Sequence, residues 1–151
     1  MKNVLMSICM CLFAQLVTAQ KMKESDVPQV VKAAFAKAYP KAKDVKWGKE
    51  DAAFEAGFMN DKNEMSVVLD AAGIIYEVET DIKMSELPSG VAETLKKEYA
   101  DYKVTEIAKI VSNGVTTYET EIGKGKKSFD LIWDGTGKLV KKIEKKAEEK
   151  D

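Results

Sequence analysis

"LPSGVAETLKKEYADY", residues 87–102, echoes "VPQVVKAAFAKAYPKA", residues 27–42, sixty positions earlier. Leu87 answers Val27, Pro88 answers Pro28, Val91 answers Val31 and Tyr99 answers Tyr39. In the earlier stretch Val27, Val30, Val31, Ala34, Phe35 and Ala38 recur at helical spacing, which marks an amphipathic helix with one apolar stripe. Asp26 is a candidate N-cap, Pro28 falls in the first turn, and Pro40 ends the helix. In the later stretch Ser85 takes the capping place, and Leu87, Val91, Leu95 and Tyr99 share one face.

After each helix the hydrophobic period drops to two. Val45 and Trp47 alternate with charged residues; Phe54, Ala56 and Phe58 follow, then Met65, Val67 and Leu69. "DAAG", residues 70–73, reads as a turn, and "IIYEVETDI" resumes as a strand. Past the second helix, Val104 and Ile107 start a strand. Tyr118, Thr120 and Ile122 match Phe54, Ala56 and Phe58, now 64 positions apart. Phe129, Leu131 and Trp133 match Met65, Val67 and Leu69 at that offset, and Asp134 and Gly137 match Asp70 and Gly73. An insertion of four residues near "SNG", 112–114, accounts for the change from 60 to 64. The sequence therefore predicts an α+β fold of two tandem repeats, 24–82 and 85–145, each one helix followed by a four-stranded antiparallel sheet. About 60 residues of this kind are marginal alone, so the halves should pack together. Whether their sheets join is not legible.

The first 19 residues read as a cleavable leader. Lys2 precedes the apolar run "VLMSICMCLFAQLV", and Val17-Thr18-Ala19 places small residues before a cut at Gln20. The run falls short of the roughly 20 apolar residues a membrane span needs. No small residue directly precedes Cys9 or Cys11, so neither sits in a lipobox. Both cysteines lie in the leader, and the exported chain must rest on a hydrophobic core rather than disulfides. Loss of Lys2 leaves 23 of 24 lysines against 25 acidic residues, a net charge of −2. Opposite charges are interspersed, with no basic stripe for nucleic acid. Residues 146–151 form a charged tail.

The chain contains no His and no Arg. With no Cys beyond the leader either, Ser-His-Asp and Cys-His catalysis and His-bound zinc are excluded, and anion clamps are limited to lysine point charges. "GKGKK", 123–127, faintly resembles a phosphate loop but falls between strands, where a lysine-rich hairpin is the simpler reading. Glu55, Glu77, Glu79, Glu119, Glu121 and Asp130 are strand carboxylates. They read as a solvated sheet face rather than an acid–base pair. "NDKNE", 60–64, and "DGTG", 134–137, offer oxygen ligands for calcium, yet hairpins need the same residues. No catalytic residue, cofactor site or metal site is assigned.

Strand parity leaves a binding surface. Trp47, Phe58, Leu69 and Trp133 point inward, whereas Met59, Val68 and Ile132 lie on the opposite parity beside Glu55, Ser66, Glu119, Glu121 and Asp130. If helices cover one sheet face only, Met59, Val68, Ile132, Glu119 and Glu121 form a mildly apolar, acidic docking surface. Tyr76 joins them as a candidate, although a bulge after the turn could switch its parity and that of Tyr118.

Val27-Pro28, Tyr39-Pro40, "KDVKW" at 43–47, "DAAGIIYEVE" at 70–79, Leu87-Pro88 and "WDGTGKLV" at 133–140 together resemble the PepSY-like, beta-lactamase-inhibitor-like family. The resemblance covers residues 24–145. It implies a periplasmic or secreted, non-enzymatic protein, with binding or inhibition by analogy. The expected function is a non-catalytic exported module that binds a protein or peptide of the cell envelope through its open sheet face. A small-molecule or calcium-binding periplasmic protein is the alternative. No nucleic acid partner and no membrane span beyond the leader are expected.

Overall fold

Gln20–Met22 (β1) is the first element of the computed structural model, which describes residues 20–145. The expected leader and the charged tail lie outside the described residues. β1 pairs antiparallel with β2 (Lys43–Glu50), with Met22 opposite Trp47. Nothing in the periodicity marks so short an edge strand.

Between them stands α1 (Gln29–Ala38). Asp26 does not cap it. A 3-10 turn occupies Glu24–Asp26, and Pro28 is the N-cap, with φ −55° and ψ 140°. The Pro28 carbonyl accepts from the N–H groups of Val31 and Lys32, so the helix begins one residue after the proline. The second helix, α2 (Ser89–Glu98), starts the same way after Pro88, and Ser85 lies in the preceding 3-10 turn. Proline at this position suits both: its φ is already fixed and it has no N–H to leave unbonded. Val31 and Phe35 are buried, as expected of the apolar stripe, but Val30 is 51% exposed. The seam is narrower than the sequence pattern implies.

The remaining strands are β3 (Ala53–Asn60), β4 (Asn63–Leu69), β5 (Ile75–Asp81), β6 (Lys103–Ser112), β7 (Val115–Lys124), β8 (Lys127–Asp134) and β9 (Leu139–Lys145). They form one nine-stranded sheet in sequence order, every neighbouring pair antiparallel. This overturns the expected α+β architecture of two repeats, each with its own four-stranded sheet. The molecule is mostly β: two ten-residue helices lie against a single continuous sheet. The β5–β6 ladder makes it continuous, with Glu77 opposite Ser112 and Asp81 opposite Ala108. Ile82 N–H to the Ile107 carbonyl (3.0 Å) and Asn113 N–H to the Tyr76 carbonyl (2.8 Å) extend that ladder at both ends. Two separate sheets would leave rows of unpaired backbone groups at β5 and β6, and pairing them together removes both edges. β6 and β7 run ten residues each, against eight in β2 and β3, so the expected insertion near 112–114 lengthens this hairpin.

Two cores lie on the same side of the sheet. Under α1, Val27, Val31 and Phe35 meet Trp47, Phe54, Ala56, Phe58, Val67 and Leu69. Phe35 packs edge-to-face on Trp47 and Phe58, with ring centroids 5.3 and 5.0 Å away. Under α2, Leu87, Val91 and Leu95 meet Ile122, Leu131 and Trp133. Val78 of β5 packs into the first core and pairs with Val111 of β6. Ile107, four residues back on the same face of β6, packs into the second. Both helices therefore cover one face.

Turns lock the helices down. Gly73 has φ 82°, and a Cβ there would lie 2.9 Å from the Ala34 Cβ of α1. At Gly137, φ 86°, the fit is a little looser: a Cβ would lie 3.3 Å from the Pro88 Cβ and 3.4 Å from the Val91 nitrogen at the start of α2.

Candidate functional site

No helix covers the other face of the sheet, and its side chains can be followed in rows from the register. One row runs Glu55, Val68, Glu77, Ser112 across β3 to β6. The next runs Gly57, Ser66, Glu79, Ile110, Thr117. A third runs Asp81, Ala108, Glu119, Ile132, Lys141 across β5 to β9, and a fourth Glu106, Glu121, Asp130, Ile143. The middle of the face is thus acidic, while the lysines of its parity sit toward the margins: Lys43 and Lys46 on β2, Lys103 at the start of β6, and Lys141 and Lys145 on β9.

The expected parity holds, but the surface is not flat. Val68 and Ile132 lie on the helix-free face at 6% and 4% exposure, and Ala108 at 1%. Longer neighbours close over these small and branched side chains. Met59 is half-buried at the end of β3, beside an open groove of about 320 Å³ that also touches Glu64, Asp81 and Ile82. Glu119 and Glu121 stand half-buried on β7. Tyr76 is the extra residue of a bulge: Val68 faces Glu77 while Leu69 faces Ile75. Tyr118 pairs with Trp133 and packs into the α2 core.

Asp81, Glu106, Ala108 and Lys145 complete the face and were not singled out from the sequence. Asp81 stands at the end of the first expected repeat, and Lys145 at the edge of the tail. Glu106 is placed by a bulge between Val104 and Glu106. Its signal is present in the sequence: Val104 and Ile107 both face the core although they are three residues apart, which regular alternation forbids.

Crowding shifts the carboxylates together. Burial, then the charges of Glu106, Glu77, Asp81 and Glu55, push Glu79 up to about 7. Burial and the charges of Asp130, Glu79 and Glu106 push Glu119 up to about 8, against a small opposing pull from Lys145. Glu55, Asp81, Glu106 and Asp130 are also raised, burial being the largest cause in each. Among the described residues, Lys145 alone forms ion pairs with these carboxylates. Its Nζ lies 2.6 Å from Glu121 Oε2 and 3.6 Å from Asp130 Oδ1. Burial alone would lower its pKa, but the bond to Glu121 and the charges of Asp130, Glu121 and Glu106 outweigh it and raise it.

The calcium reading finds no support at the turns. Asp134 Oδ1 accepts from the N–H groups of Thr136 (2.9 Å) and Lys138 (3.1 Å) and from the Thr136 hydroxyl (2.6 Å). Asp70 Oδ1 likewise accepts from the N–H groups of Ala72 and Ile74. These oxygens build the hairpins. Among the described residues, no three carboxylates converge as a metal site requires.

A family model described as "Putative beta-lactamase-inhibitor-like, PepSY-like" matches residues 16–77 and 53–141. The chain belongs to the PepSY-like family. Three solved structures share this PepSY-like fold. A protein described among "putative periplasmic proteins" of Bacteroides eggerthii superposes with a TM-score of 0.73 at 19% identity, covering 78% of this chain and 88% of that one. A DUF2874 family protein of Bacteroides uniformis gives 0.71 at 22%, with the same coverage. A BLIP-like protein of Bacteroides fragilis gives 0.66 at 23%, covering 82% and 89%. No curated protein matches. Among the described residues, no helix is long and apolar enough to cross a membrane.

Proposed function

We propose that this PepSY-like protein is an exported, non-catalytic binding module that holds a protein or peptide of the cell envelope on its helix-free sheet face, in the manner of an inhibitor. The observation carrying the reading is that face itself: broad, acidic in its middle and uncovered by either helix, with Lys145 the one lysine paired to its carboxylates among the described residues. Met59, Glu119 and Glu121 make the contacts, Val68 and Ile132 shape the floor beneath them, and Tyr76 stands at the bulged rim. The leader-like first 19 residues, the lack of His, and the lack of Cys after Cys11 are in keeping with export and with binding rather than chemistry. So are the inhibitor-like description of the family and the periplasmic description of one similar structure.

The test uses the absence of thiols beyond the leader. Ser66→Cys and Ser112→Cys place a photo-crosslinker on the helix-free face, and Lys37→Cys places one on α1. Crosslinked adducts from the two serine sites, and none from residue 37, are expected in an envelope extract. Adducts that form only from residue 37 would move the binding surface to the helices.

A further inference from the structure

We propose that Gln20 is a modification site: removal of the leader makes it the first residue, and its α-amine then closes on its own carboxamide to give β1 a pyroglutamyl cap. This inference rests on the export reading above and not on the docking face.

The cut and the fold meet at the same residue. Val17-Thr18-Ala19 places the cleavage before Gln20, and β1 begins at Gln20, paired with Lys49 of β2. Cleavage there leaves the strand whole, whereas a later cut would take part of it. The strand is short but built into the fold. Lys21 pairs with Gly48, and Met22 pairs with Trp47. Met22 packs against the core under α1, and Trp47 in that core is 7% exposed. The same three residues occupy the backbone edge of β2 from Trp47 to Lys49. An exopeptidase working from a free α-amine meets this strand first, and loss of Gln20–Met22 would uncover both the edge and the core beside it.

The chemistry belongs to Gln20 itself. Its side chain is exposed, and among the described residues no group hydrogen-bonds to its carboxamide. An α-amine titrates at about 7.7–8.0, so at neutral pH it holds a neutral, nucleophilic fraction. The amine nitrogen attacks Cδ of the same side chain, with the proximity of an intramolecular step. The N–Cδ bond forms, the Cδ–Nε2 bond breaks, and ammonia leaves with a proton from the amine. No oxidant, reductant or second substrate enters. The product is a neutral lactam. It replaces an α-ammonium that would stand opposite Lys49 and beside Lys21, where like charges oppose strand pairing. The lactam keeps one N–H as a donor and offers an aminopeptidase no amine.

The test is the intact mass of the protein isolated from the cells that export it. The expected value is the mass of residues 20–151 less one ammonia. Leucine aminopeptidase should leave this protein untouched. Gln20→Ala changes an exposed residue, keeps the cleavage pattern and cannot form the lactam. The same enzyme should shorten it into β1, and the shortened protein should melt several degrees lower. A mass of residues 20–151 with the amide intact, or a chain that starts beyond Gln20, overturns the proposal and leaves export in place. A chain that still carries the leader overturns both. A Gln20→Ala protein that keeps its length under aminopeptidase overturns the protective role of the cap.

Discussion

Trp133 is fully buried, and its one polar atom is held by another side chain with no exposure: Nε1–H donates to Thr120 Oγ1 at 3.0 Å. At the matching places under α1 stand Ala56 and Leu69, an apolar pair that needs no such bond. Thr120→Val keeps the shape and removes the acceptor. It should cost about 1–3 kcal/mol, because a buried N–H is left unbonded, and urea unfolding will measure it. Thr120→Val combined with Trp133→Phe should lose less of the hydrogen-bond term, since no orphan donor remains. A silent Thr120→Val would mean that the N–H finds another acceptor. The sequence places both residues on the inward parity but gives no sign that they meet. That pairing depends on the β7–β8 register, which sets Thr120 opposite Leu131 and diagonal to Trp133.

At the scale of the elements, the β5–β6 ladder is the joint on which the architecture turns. Ile82 pairs with Ile107 and Tyr76 with Asn113 through hydrogen bonds, so alternation makes Thr80 and Lys109 a bonded pair as well. Lys109 is exposed, and replacing it perturbs little packing. Lys109→Pro removes its N–H from the ladder and should destabilise the protein by at least about 2 kcal/mol. Lys109→Ala, the control, should stay within about 0.5 kcal/mol. Equal, small effects from both would mean that the two halves of the sheet hold together without this ladder. The helices, the hairpin turns and most strands could be read from period and turn chemistry. The ladder could not, because the alternation in β5 and β6 is the same whether each strand ends a sheet or continues one. β1 escaped for another reason: three residues are too few for a period to show.

At the scale of the whole molecule, the acidic face sets the response to pH. Glu79 and Glu119 rise from an ordinary 4.5 to about 7 and about 8 in the fold, facing Glu55, Glu77, Asp81, Glu106, Glu121, Asp130 and Lys145. The folded protein then holds protons that the unfolded chain has already released. Stability therefore falls as pH rises from about 4.5 through about 8 and levels off above. The two groups raise each other, so their effects overlap and do not add. The melting temperature should be higher at pH 5.5 than at pH 8.5 by several degrees, and Glu119→Gln should flatten the slope. A melting temperature that climbs over this range would contradict the crowding described for the face.

Sequence alone determined the local elements and their inward sides, because helix period, strand alternation and glycine turns are written in neighbouring residues. It also determined the lack of nucleophile–histidine chemistry, since the residue types are missing. Tertiary structure alone decided that the sheet is one, that Val68 and Ile132 sink out of reach, and that Asp81, Glu106 and Glu119 gather around Ala108. Each of these depends on register between strands distant in the chain. Register is fixed by the sum of backbone pairing and core packing over the whole sheet, and no single stretch of residues records it.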